Sequence, residues 1–206
     1  TRFDSRETER ALKGSGITVP RLDTYAWRLW DYWERHLDPD LFIDALASIP
    51  SSILQDTIID WTGYGPFMER IQARCTKLIP NLDIRFPGLL TKAQMAEHMQ
   101  TAHLFVLPTT TENLPCVILE SLCCGTPVLS MNINGIPEMV NDSNGILIPP
   151  RDVQAMADAL VKILKEPLLF NRDAIAKAAL ERFAQEPVRN RILLNYRIAT
   201  SKQESS

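Results

Sequence analysis

The sequence predicts an α/β fold: a single Rossmann-like domain on a mostly parallel six-stranded sheet. From Asp56 onward, short apolar runs alternate with longer helical patterns, the arrangement of crossover units on a parallel sheet. A length of 206 residues with 45% hydrophobic content is enough to bury one sizeable core. Several helical patterns open on a cap or an early proline, as at Asp38-Pro39 and Thr91.

The first strand is expected at residues 25–28, and the others at 57–62, 82–86, 104–107, 127–130 and 146–148. Helices are expected at 39–48, 66–78, 92–101, 115–124, 153–164, 168–185 and 187–200. The last carries Ile192, Leu193, Tyr196 and Ile198 with no later strand to meet them, so it is expected to pack on something outside the chain. Ligands of such sheets sit beyond the carboxyl ends of the strands at the topological switch, here between strands one and four. The segments that follow those strands, LWDYWERH and PTTTENLPCVILE, do not have the pattern of core.

Twenty-two basic and twenty-five acidic residues give a formal net charge of −3. That excludes a global attraction to nucleic acid or anionic lipid and makes any phosphate site local. No apolar run approaches the roughly 20 residues of a membrane span. The opening TRFDSRETER lacks the apolar core of a signal peptide, so the chain reads as cytoplasmic. Cys75, Cys116, Cys123 and Cys124 lack zinc-type spacing and suit no disulfide framework, and buried free thiols are expected.

The chemistry concentrates between Thr109 and Glu138. Pro115 suits the first position of a helix, so a helix should begin near Leu114, its free amides and positive dipole end facing the loop after strand four. A helix N-terminus at a switch point is an anion site. Glu112 precedes that helix, and Glu120 lies about 8 Å along it from Pro115, at roughly 1.5 Å per residue. Carboxylates accept paired hydrogen bonds from vicinal hydroxyls, which a ribose offers on one side of a pyrophosphate and a hexose on the other. The spacing therefore fits a sugar nucleotide. Read alone, the segment also admits the plainer account that both glutamates are solvated residues favoured near the dipole's positive end.

With Glu112 and Glu120 at its two positions, the segment resembles the Glu-x7-Glu signature of the retaining family-4 (group 1) glycosyltransferases of GT-B fold. CCGTPVL, NGIPEMV and SNGILIPPRDVQAMADAL resemble that family's following helix end, glycine-x-proline-glutamate turn, strand and helix, in the same order. Upstream, DTIIDWTGYGP resembles its glycine-x-glycine-proline turn through Gly63, Gly65 and Pro66. IRFPGLL resembles its strand-three end, where the loop 86–90, with Pro87 and Leu89, should line the nucleobase through backbone groups.

The resemblance implies the C-terminal, donor-binding half of a GT-B enzyme, retaining and independent of metal or other cofactor. It puts Glu112 on the transferred sugar and Glu120 on the ribose. Thr111, Asn113, Leu114, Pro115, Cys116 and Val117 fall in the donor loop and first helical turn, and Gly63 falls at the strand-two turn. Arg28 and Arg35 are the implied pyrophosphate clamp, although Arg35 lies seven positions after Arg28 where the family usually has a lysine about five on. Asn113 stands where the family usually has glycine, which bears on the donor sugar. UDP-glucose is the donor favoured by family frequency. The acceptor, a glycan or lipid-linked molecule, belongs to an N-terminal domain the chain lacks, and peripheral membrane association of the full enzyme is compatible with this. The expected division is a linker at 1–23, the nucleotide-sugar domain at 24–185, and a crossover helix and tail at 186–206.

Rival readings are a nucleotide-binding module that catalyses nothing and a sugar-nucleotide epimerase or phosphorylase of the same fold. Asp38-Pro39-Asp40 has the form of a manganese-binding motif, but aspartate then proline before an apolar helical pattern is an ordinary helix start. Trp27, Trp30, Tyr32 and Trp33 fit either a sugar-stacking surface or an interface. His36, His98 and His103 show no nucleophile–base arrangement.

Overall fold

Local signals set most helix starts. The computed structural model describes residues 37–65 and 67–201, without the side chains of 199–201. In it α1 (Pro39–Ser48) is capped by Asp38, whose carboxylate accepts from the Leu41 amide at 3.1 Å. This is the helix-start role expected of Asp38. Asp40 pairs instead with Arg70 at 2.9 Å and Arg74 at 3.2 Å, across to another helix. A short α2 (Ser51–Leu54) follows. Then come β1 (Ile58–Thr62), α3 (Met68–Leu78), β2 (Asp83–Gly88) and α4 (Lys92–Thr101), the last opened by a Thr91–Gln94 capping box.

β3 (Phe105–Leu107) leads to α5 (Cys116–Cys123), β4 (Val128–Met131), a 3-10 turn at Ile136–Glu138, and β5 (Gly145–Ile148). Three helices end the described residues: α6 (Val153–Lys165), α7 (Arg172–Phe183) and α8 (Gln185–Ser201). α6 and α7 start at side-chain caps from Asp152 and Asn171. The Asn171 cap is why α7 begins later than the expected residue 168 and leaves Leu168 in solvent. α8 runs through Pro187, which is tolerated because it falls in the first turn.

The named strands pair in parallel throughout, but the expected single six-stranded sheet is not what the described residues form. Five strands make two sheets, β1–β2 and β3–β4–β5. The expected first strand lies outside the described residues.

β4 is buried at every position. Leu129 and Met131 belong to one core cluster, with α1, α2, α3 and α6. Val128 belongs to the other, with α5, α7 and the 3-10 turn. This is the near-continuous apolar strand of a sheet covered on both faces. Sheet β1–β2 has its apolar side chains on one face among the described residues. Ile59, Trp61, Ile84 and Phe86 pack inward, Trp61 with its ring 5.8 Å from Phe42 and 6.2 Å from Phe86, while Ile58, Asp60, Asp83 and Arg85 face solvent. No helix of the described residues is long and apolar enough to cross a membrane.

One cross-chain tie positions the second face. Arg172, at the start of α7, reaches the end of α4, donating to the carbonyls of Ala102 and Gln100 and, at 3.1 Å, to the Thr126 hydroxyl. It thereby closes carbonyls that the helix end leaves unpaired. Gly125 makes room for this, because a Cβ there would stand 2.7 Å from the Arg172 carbonyl oxygen. Arg172→Ala should therefore lower stability by about 1.5–3 kcal/mol, the range for hydrogen bonds to charged groups. Urea denaturation checks it, and an unchanged midpoint would show the tie to be incidental.

Candidate functional site

The carboxyl end of β3 is where the chain assembles its candidate site. Leu37 bridges Thr109 in antiparallel fashion and the Asp38 amide donates to the Pro108 carbonyl at 2.7 Å, so the start of α1 is tied to the end of β3. The buried Thr109 hydroxyl accepts from the Thr111 amide at 3.4 Å and donates to the Thr111 carbonyl at 3.3 Å, turning the chain before Glu112. Thr109 opens the expected stretch but was given no role of its own, and a threonine in a PTTT run carries no signal for one.

α5 begins one residue later than expected. Pro115 occupies the N-cap position with ψ 109°, and Cys116 is the first helical residue. Proline also disfavours the helical conformation in the residue before it, so Leu114 stays outside the helix as well. No side chain caps α5, nor α3, whereas α1, α4, α6 and α7 are capped by their own aspartate, threonine or asparagine. The first-turn amides of Cys116 and Val117 therefore lack intrahelical acceptors and carry the positive end of the helix dipole. Cys116 and Val117 are exposed there, against the expectation of a buried Cys116. All four cysteines are free, but only Cys75 is buried.

Glu112 is half-buried, Asn113 and Leu114 are exposed, Pro115 is buried and Glu120 is exposed on the second turn of α5. Burial pushes the Glu112 carboxyl pKa above the usual glutamate range, and the Asn113 backbone amide opposes that less strongly. Glu112 is thus a carboxylate held at a desolvation cost beside an open helix end. Such a group gains from hydroxyl donors brought by a ligand.

A second group lies at the ends of β1 and β2. Gly63 has φ 120° and Gly88 φ 74°, and the Gly63 amide donates to the Gly88 carbonyl at 2.9 Å. They line an open hollow of about 340 Å³ together with Tyr64, Glu69 and Phe86. α5 contributes nothing to its walls. Pro87 and Leu89 are exposed at its margin, Leu89 at 80%. The expected residues therefore fall into two groups: Thr111 to Glu120 around α5, and Gly63 with the β2 end around the hollow. Arg28 and Arg35 lie outside the described residues, as do Trp27, Trp30, Tyr32, Trp33, His36 and Pro66.

Among the described residues no cluster of three or more histidine, cysteine or acidic side chains could hold a metal ion. His98 does find a carboxylate, its Nδ1 standing 3.0 Å from Asp60 Oδ2, a pair that joins α4 to β1.

With this geometry in hand, the likeness to known proteins is specific. The family model for glycosyl transferases group 1 matches residues 33–182. The D-inositol 3-phosphate glycosyltransferase of Kribbella flavida is 32% identical over 175 residues, 79% of this chain and 41% of that protein. The phosphatidyl-myo-inositol mannosyltransferase of Mycobacterium leprae is 29% identical over 186 residues, 88% of this chain and 49% of that protein. The chain thus spans half or less of the length of these relatives. Among solved structures, Anabaena HepE in complex with UDP and glucose superposes with a TM-score of 0.65 at 22% identity, over 78% of this chain and 46% of that one. At that identity the likeness shows the Rossmann-like α/β fold alone.

The raised pKa of Glu112 means that the folded protein holds this proton more tightly than the unfolded chain. Ionising it costs stability. The cost is absent below the ordinary glutamate range, near about 4.3, and fully present above the folded-state value. Glu112→Gln should therefore raise Tm relative to the parent at pH 7, with the advantage shrinking as the pH falls through that range. Thermal melts at pH 7 and pH 4 check this, and a constant difference would contradict it.

Proposed function

The chain belongs to glycosyl transferases group 1, and from that premise we propose that it is the C-terminal, donor-binding half of a retaining, metal-independent GT-B hexosyltransferase of family 4. The observation that carries the reading is the pairing of a desolvated Glu112 with the uncapped α5 amides at the carboxyl end of a parallel strand, Glu120 one turn further on. UDP-glucose is the donor the resemblance favours, and the UDP and glucose held by the HepE crystal agree with it. The acceptor is a glycan or lipid-linked molecule on a second domain, and the inositol lipid named for the Mycobacterium leprae relative is of that kind. Ile192, Leu193 and Leu194 of α8 are about half exposed, which supports a further domain lying against that helix. The enzyme is placed in the cytoplasm.

In this reading, breaking the bond from the anomeric carbon to phosphate leaves positive charge on the sugar and sends the bonding pair to the nucleoside diphosphate. The α5 first-turn amides stabilise that developing anion, as fixed donors do in a site that needs no reorganisation. Arg28 and Arg35 add the cationic clamp. Glu112 orients the sugar through its hydroxyls, and Glu120 holds the ribose diol. Thr111, Asn113 and Leu114 shape the sugar side of the loop. Gly63, Pro87 and Leu89 stand at the base side.

Because the chain spans half or less of its relatives, a chain that binds donor without turning it over is the second reading. Restoring an N-terminal domain separates the two: transfer should appear only then.

Calorimetric titration with UDP, GDP and ADP, alone and as sugar conjugates, tests the donor site. Glu120→Ala should weaken nucleotide binding roughly ten- to hundredfold, the equivalent of about 1.5–3 kcal/mol for hydrogen bonds to a charged group. Arg28→Ala should weaken it comparably. Binding of none of these ligands by the parent chain would sink the proposal.

A further inference from the structure

Resting on the donor-site reading, we propose that Gly135, with its neighbour Asn134, is a positioning residue that sets where Glu112 stands against the transferred sugar. Gly135 is buried just before the 3-10 turn, and its φ of −85° is one that any residue adopts. Its need for glycine is therefore one of space. A Cβ at 135 would stand 2.1 Å from the carbonyl oxygen of Asn113 and 3.2 Å from its carbonyl carbon. Both are backbone atoms, so no rotamer change relieves the clash. The loop holding Glu112 would have to retreat by about 1 Å to restore an ordinary contact.

The turn itself cannot give way easily. Ile136, Met139 and Val140 are buried in the same cluster as Ile118 and Leu122 of α5. The turn and α5 share this floor, and above it the Gly135 backbone meets Asn113. Loop residues 112–114 are thereby held between the first turn of α5 and the Asn134–Gly135 turn. Asn134 supplies the bend, with φ 44° in the left-handed region that asparagine and glycine tolerate and β-branched residues do not. The phosphate-facing amides and Glu120 lie on α5, whereas Glu112 and Asn113 lie on the loop that Gly135 touches. A change at 135 thus moves the sugar side and spares the nucleotide side.

The test compares dissociation constants of a nucleoside diphosphate and of its glucose conjugate on the same chain, using UDP, GDP and ADP as probes. For the base that binds the parent, Gly135→Ala should weaken the glucose conjugate by about tenfold relative to the plain diphosphate, roughly the loss of one hydrogen bond to the Glu112 carboxylate. Asn134→Val, at an exposed position, should shift the ratio in the same direction and keeps the test open if Gly135→Ala does not fold. Asn134→Gly should leave it unchanged. An unchanged ratio in both disruptive variants, or equal weakening of both ligands, overturns the positioning role while the donor site stands. A parent chain that binds no probe overturns the donor site and this inference with it.

Discussion

Strand β4 is the element on which the rest depends. Its four residues are buried on both faces, with Leu129 and Met131 in one apolar cluster and Val128 in the other. A strand can be buried this way only if its backbone is paired on both edges, which β3 and β5 provide in parallel register. Helices on the two faces then close α1 and α6 over one cluster and α5 and α7 over the other. The carboxyl end of β3, and the loop that leaves it, are set in space by this arrangement before any functional side chain is considered.

The candidate site is a place where local stability rules are relaxed on that rigid base. Four of the helices are capped by their own side chains, while α5, like α3, opens with none. Glu112 is held half out of water although that raises its pKa. Both features leave groups unsatisfied in the protein alone, and a ligand bearing an anion and hydroxyls would complete both. Local disagreement with folding rules is expected at functional positions.

Much of this was legible along the chain. Asp38 and Thr91 mark helix starts because a capping side chain bonds an amide only three residues away, an interaction that never leaves the segment. The five described strands were likewise legible from apolar runs, and Glu112 with Glu120 from their spacing around a proline. The start of α5 was missed by one residue, since Pro115 stands at the cap and not inside the first turn. The division into two sheets was not legible, since strand patterns carry no statement of which edges meet.

The sequence by itself determined what nearest-neighbour physics can encode: caps, apolar periodicity, the proline and carboxylate spacing, and a net charge that confines any anion site to local groups. Tertiary structure decided the rest. Asp60 finds His98 across 38 positions, Arg172 finds the end of α4, and the Gly135 backbone comes to rest on Asn113. Each contact joins segments distant in the chain. Its distance depends on how the helices pack over β4, a sum of many weak apolar contacts that no short stretch of residues contains.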